Sequence, residues 1–427
     1  MGIISCETPK AEFTLFQPIK REDISSAQLL ETAKFNDNIK VYSKPSKSIF
    51  KQLVLKKTTD SNIESTIYQK FDLYWTFCSL FRKSTPNWHG FMANITHGTH
   101  LPAQVKYHPN IPLDPSFYDA VYSTMCFVKE QIKQKKISCT SLTFDYPLFW
   151  KASEIKEDKY PEFDCIHLKL GGFHQLMSFL GAGCKLMQDA GLKVWSTVYK
   201  ENSLPKMLEG KAYSRCLRAC LLTDTALHFT LMSGNDHSQE YEENQIFEPV
   251  QTFIDNEDVV DFVDDGNIFD CLDDDEPMLE DIDYDNDNDL SSILLQKLKT
   301  NCDDNDGLML FNEETADILG KLYESFEKQE VSLDEVCNNP VMNSIGDIVG
   351  NLMFVQDVSR TGKLWLQFMD FVSVVRMFIR AERTGKFELH ISASEQMLPY
   401  LASAGHDKYT VAIRKYLQDV KNLCPCL

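Results

Sequence analysis

The sequence predicts an α/β core followed by an all-helical C-terminal region, with a disordered acidic insertion between them. Three observations carry this prediction. Two short runs with strand character, Ile137–Phe144 and Cys165–Leu170, alternate with segments of helical period. The last third of the chain contains helical periodicity and no strand signal. Between these parts, 22 acidic residues and no Lys or Arg occupy the 54 positions from Asp236 to Asp289.

That acidic stretch accounts for the whole charge imbalance. The 427-residue chain has 43 Lys+Arg against 63 Asp+Glu, a net charge of −20, so removing the stretch leaves a body of +2. The pI of 4.9 therefore describes one segment and does not exclude a nucleic-acid partner for the body. Phe247, Phe253, Phe262 and Phe269 are interleaved with carboxylates, a composition that resists collapse and suits an interaction segment for basic proteins. Overall hydrophobic content of 43% and aromatic content of 11% exclude a wholly disordered protein.

From the N-terminus, residues 1–85 read as a loosely ordered region ending in a short helix at the apolar patch Phe71–Phe81. No apolar leader stands at Met1–Phe16, and no run is long and apolar enough to span a bilayer. Thirteen scattered cysteines without a CxxC pair read as reduced thiols, so an intracellular protein of nucleus or cytoplasm is expected, with no membrane partner.

The α/β core is expected at 86–234. Asp114-Pro115 reads as a helix N-cap with Pro at the first turn, ahead of Val121, Met125, Val128 and Ile132 at helical spacing. The strand ending at Asp145 follows. The second strand places Ile166, Leu168 and Leu170 on one face, with His167 and Lys169 on the other. Gly171-Gly172 breaks it, and a helix carries Leu176, Met177, Leu180, Cys184 and Met187 to a stop at Gly191. Within that helix, Gly181-Ala182-Gly183 reads as close helix packing. A third helix is expected from about Ser203 to Leu222.

The insertion is set at 235–306 and the helical domain at 307–427. Asn312 reads as the cap of a helix bearing Ile318, Leu319, Leu322 and Phe326. A near-continuously apolar helix follows at 364–383, then a helix reaching Pro399, then one carrying Tyr409, Ile413, Tyr416, Leu417 and Val420. Across the end of the insertion, Cys302–Glu313 has partial calcium-loop spacing, but a thiol at its first position is a poor ligand for a hard cation.

Two constellations are candidates for chemistry. Asp145 and His174 follow neighbouring strand ends, where a carboxylate and an imidazole can share a divalent metal. The competing roles are a helix cap and a structural histidine. Arg376, Arg380 and Arg383 recur at helical spacing, and Arg215 and Arg218 lie three apart, so both sets are candidates for tracking phosphates. Against this stands a solvated face paired with Asp370 and Glu382. No nucleophile elbow, phosphate-binding loop, dinucleotide fingerprint or kinase set is present.

Three blocks carry a resemblance. The first joins Trp88-His89-Gly90-Phe91-Met92, Ile111-Pro112-Leu113-Asp114-Pro115 and Val121-Tyr122-Ser123-Thr124. The second joins Leu142-Thr143-Phe144-Asp145-Tyr146-Pro147-Leu148 to Leu170-Gly171-Gly172-Phe173-His174-Gln175-Leu176. The third joins Ser359-Arg360-Thr361-Gly362-Lys363-Leu364-Trp365, Arg380-Ala381-Glu382-Arg383-Thr384-Gly385 and Met397-Leu398-Pro399-Tyr400. Together they resemble a large multi-copy animal protein family of mobile-element origin. That family is in turn similar to transposon proteins with an RNase H-like core.

The resemblance implies a partial RNase H-like core here, with Asp145 matching the first metal-binding acid and Phe173-His174 matching the second motif. It also implies a defect. Gly172 stands where the second acid belongs, Tyr146 stands where Gln is usual, and the chain ends at Leu427 before the family's later acidic helix. The expectation is a degenerate, non-catalytic protein that binds DNA or protein and needs no cofactor. Two alternatives stay open: an active nuclease or strand-transfer enzyme using Mg2+ or Mn2+ with Asp145, His174 and Glu382, and an adaptor that engages basic proteins through residues 236–289.

Overall fold

The computed structural model describes residues 3–7, 39–45, 63–81, 88, 91–92, 104–108, 111–188, 191–199, 203–232, 313–343 and 360–421. The chain divides into two units, Met1–Phe229 with Thr315–Leu427, and Thr230–Glu314. Of the second unit, the described residues are the helix ends 230–232 and 313–314. The acidic stretch, the cap Asn312 and the calcium-like window apart from Glu313 lie outside the described residues.

The first unit opens with β1 (Ile3–Glu7), paired antiparallel with β2 (Gln104–His108) so that Ile3 faces His108. Between them in sequence, α1 (Ile63–Phe81) is 19 residues long, where a short helix is expected. Its Tyr68, Phe71, Tyr74 and Cys78 recur at helical spacing and are buried. The helix α2 (Tyr118–Lys135) starts later than the Asp-Pro signal predicts. Asp114 instead folds a turn on itself: its carboxylate accepts from Ser116 N at 2.7 Å, and its carbonyl accepts from Phe117 N at 3.1 Å.

Next come β3 (Thr140–Phe144), α3 (Tyr146–Asp158) and β4 (Ile166–Leu170). The two strands are parallel, with Phe144 opposite Leu170, and α3 supplies the crossover that parallel strands need. The alternation in β4 is as expected, with Ile166, Leu168 and Leu170 buried. Helix α4 (Gly172–Met187) follows directly. Gly183 is a packing position: a Cβ there would lie 2.2 Å from Phe371 Cζ. The expected helix over 203–222 is divided into α5 (Leu204–Leu208) and α6 (Tyr213–Met232). Gly210 divides it, at φ +76° and with a Cβ position only 2.3 Å from Met177 O, a place for glycine alone.

The C-terminal region is helical: α7 (Glu313–Glu327), α8 (Leu333–Cys337), α9 (Arg360–Thr384), α10 (Phe387–Ser403) and α11 (Asp407–Lys421). Ser332 and Glu335 close a reciprocal capping box at the start of α8. Helix α10 packs on α9, α11 and α4, while α11 packs on α3 and β4. The helical region and the β3–α3–β4 layer therefore share one core. A second cluster joins α1 to α7, where Phe71 meets Phe326 at 5.5 Å and Phe91 stacks on Tyr323 at 6.0 Å between ring centroids. Among the described residues the protein is mostly helical, with two separate two-stranded sheets. The larger sheet of a complete RNase H-like core is not among them.

Helix α9 is buried nearly all round between Phe368 and Ala381, as its continuous apolar run predicts. Its two arginines in that stretch, Arg376 and Arg380, are 3% and 1% exposed. Arg376 Nη1 lies 2.8 Å from Asp224 Oδ2 on α6, and Arg380 Nη2 bonds to Asp72 Oδ1 on α1. Asp72 also accepts from Trp88 Nε1 at 2.7 Å, and the Arg380 guanidinium stands over the Tyr68 and Trp88 rings. Removing one partner leaves a buried charge uncompensated, which costs roughly 3–5 kcal/mol. Asp72→Ala is therefore expected to destabilise the fold by about that amount in chemical denaturation. A loss below about 1 kcal/mol, the range of an exposed pair, would contradict this account of the α1–α9 contact.

Candidate functional site

The carboxyl ends of β3 and β4 bring the candidate residues to one edge. The strands are paired to their last residues, Phe144 and Leu170, and Gly171 N–H donates to Phe144 O at 2.7 Å just beyond. Asp145 acts as the cap of α3, its Oδ1 accepting from Leu148 N at 3.2 Å. Its charge also reaches Tyr409 on α11, whose hydroxyl pKa is raised by burial and by that carboxylate. Asp145 is thus a helix cap at the strand end, the competing role considered for it in the sequence.

Gly172, the first residue of α4, opens a space that Glu382 of α9 fills. A Cβ on Gly172 would lie 2.8 Å from Glu382 Oε2. Glu382 Oε1 meets Lys169 Nζ at 2.8 Å and His390 Nδ1 at 2.8 Å. His390 is buried between the Phe378 and Tyr416 rings. Burial opposes ionisation of Glu382, but His390 and Lys169 outweigh it and lower the carboxyl to about 2. At neutral pH Glu382 is a carboxylate beside the Lys169 ammonium, not an acid holding a proton.

His174 lies on the first turn of α4 and is exposed, its ring edge-to-face with Phe173. Its neighbour Gln175 is the residue that turns inward, donating to Ser394 Oγ at 3.0 Å. Among the described residues, Asp145, His174 and Glu382 do not form a cluster with ligand atoms within 4.8 Å of one another. Mg2+ and Mn2+ favour several oxygen ligands at short range, and the Lys169 ammonium beside Glu382 repels a cation.

The basic set divides. Arg376 and Arg380 are internal, so the row Arg376, Arg380, Arg383 is not a solvated face for phosphates; an apolar helix with buried counter-ions removed it from the surface. Arg383 and Arg215 are exposed, the latter donating to Ser203 Oγ at 3.3 Å, and Arg218 is half-buried. Lys169 and His390 were not singled out in the sequence. Lys169 sits on the polar face of β4, but its partner is 213 residues away, and no local pattern reports that.

These features define a mixed, mainly helical protein with an ion-paired edge on a small parallel β-layer. A family model described as a domain of unknown function, DUF8702, matches residues 87–288 and 286–425. The chain belongs to that family, and the matched residues include Asp145, Lys169, Gly172, His174, Glu382 and His390. No curated protein and no solved structure matches the chain. Among the described residues, no helix is long and apolar enough to cross a membrane.

The Glu382 cluster makes stability depend on acid. The folded carboxyl titrates near 2 against an ordinary value of 4.5, so between these values the unfolded chain binds more protons. The contribution is fully present above about 4.5 and is lost as pH falls towards 2. Denaturation midpoints measured from pH 6 down to about pH 2 are expected to fall less steeply in Glu382→Gln than in the wild type. Parallel acid profiles for the two proteins would count against the cluster.

Proposed function

We propose that this chain is a non-catalytic binding protein of mobile-element descent, working inside the cell. It keeps part of an RNase H-like core as a scaffold, and residues 236–289 engage basic proteins. The observation that carries the reading is the position of Lys169 and His390 against Glu382, beside Gly172. Where a two-metal enzyme presents unpaired carboxylates to its ions, Glu382 here is paired with the Lys169 ammonium and contacted by His390. Asp145 is meanwhile occupied as a helix cap.

The partner assignment rests on charge. Residues 236–289 carry 22 carboxylates against no Lys or Arg, which favours a basic protein surface and association that weakens with salt. DNA ranks second as a partner. With Arg376 and Arg380 internal, Arg215, Arg218 and Arg383 are what remains of the basic set.

One observation favours the rival enzyme. Glu382 Oε2 stands within contact distance of the Gly172 position, so a carboxylate from α9 takes the place of the missing strand-end acid. Nicking of supercoiled DNA with Mg2+ or Mn2+ separates the readings. No cleavage above background is expected from the wild type. Cleavage that disappears in both Asp145→Ala and Glu382→Gln would establish the enzyme instead. Deleting residues 236–289 is expected to abolish retention on a histone column at about 0.1 M salt, where charges are screened beyond about 10 Å. Undiminished retention would remove the partner assignment.

A further inference from the structure

Three cysteines converge inside the first unit, away from the ion-paired edge. Cys184 lies in the last turn of α4, and Cys216 and Cys220 lie four residues apart on α6, on one face of that helix. Their sulfurs all lie within 4.8 Å of one another, and Cys184 Sγ is 3.6 Å from Cys216 Sγ. All three residues are 0% exposed, and none is in a disulfide.

Single buried cysteines are common and act as small apolar residues. Three sulfurs turned towards one point from two helices are a different arrangement. Sulfurs bound to one metal at about 2.3 Å stand roughly 3.8–4.0 Å apart, and the spacing here already brackets that. Little movement is needed to close the three onto an ion. It is the only group of three or more His, Cys, Asp or Glu among the described residues with ligand atoms this close.

The donor set selects the metal class. Three sulfurs and no oxygen or nitrogen suit a soft cation, and exclude Mg2+ and Ca2+.

We propose that Cys184, Cys216 and Cys220 form a buried three-thiolate site for a soft d10 cation, Cu+ or Zn2+. Binding exchanges S–H protons for metal–sulfur bonds: the thiols deprotonate as the ion enters, and neither sulfur nor metal changes oxidation state. Cu+ is satisfied by three thiolates, whereas Zn2+ takes a fourth ligand.

The test uses the full chain, purified under anaerobic reducing conditions and loaded separately with Cu+ and with Zn2+. Metal content after desalting and thiolate-to-metal charge-transfer absorption are the readouts. One equivalent of one of these ions is expected to be retained, with a rise in melting temperature. X-ray absorption then separates three-sulfur coordination for Cu+ from four-coordinate Zn2+. Cys184→Ser and Cys216→Ser are expected to lose that equivalent at least tenfold in affinity, while Cys6→Ser and the paired Cys424→Ser, Cys426→Ser variant keep it. Retention of neither ion by the wild type, without any shift in its melting temperature, would overturn the proposal even if the core variants fail to fold. So would equal retention by Cys184→Ser, or air oxidation of the trio to a disulfide in place of metal binding.

Discussion

A charge taken out of water must be neutralised where it lies, and α9 carries two such charges. Arg376 and Arg380 sit in the buried stretch of α9, and each is met by a carboxylate from a different helix, Asp224 of α6 and Asp72 of α1. This fixes the neighbours of α9 in position and rotation, because a guanidinium displaced from its carboxylate is left buried and unpaired. The Tyr68 and Trp88 rings, 4.6 and 5.5 Å from the Arg380 guanidinium, add cation–π contacts to that constraint. Elements more than 300 residues apart in sequence are joined through one such contact.

The same helix determines the ion-paired edge. With α9 held by its arginines, Glu382 is carried to the end of β4, where Gly172 leaves room for a carboxylate and Lys169 and His390 receive it. Fold and proposed function therefore meet at one residue. A carboxylate that would serve an ion in a metal-dependent enzyme here closes a contact between the parallel β-layer and the helical region. That supports the reading of a scaffold.

Local signals were readable where a residue's role depends on its neighbours in sequence. The alternation of Ile166, Leu168 and Leu170 predicted β4, and the unbroken apolar run predicted α9. Close packing at Gly181-Ala182-Gly183 followed from small residues within a helical period, with Phe371 against Gly183 and the Glu209 backbone against Gly181. Failures arose where tertiary partners decide. Asp114-Pro115 has the chemistry of a helix start, but its carboxylate closes a turn first. Arg376 and Arg380 at helical spacing look like a solvated face until Asp72 and Asp224 arrive from elsewhere. Cys216 and Cys220 gave half of a convergence whose other member, Cys184, is on another helix. The Glu382 cluster likewise has no local signature.

The central claim is that the edge formed by Asp145, Gly172 and Glu382 is closed by internal pairing and holds no metal. Mn2+ binding followed by electron paramagnetic resonance tests it most directly, comparing the full-length wild type with Asp145→Ala and Glu382→Gln. Any Mn2+ held by the acidic segment is common to all three proteins and cancels in the comparison. The account predicts superimposable binding curves. A tight site present in the wild type and missing from both variants would contradict it.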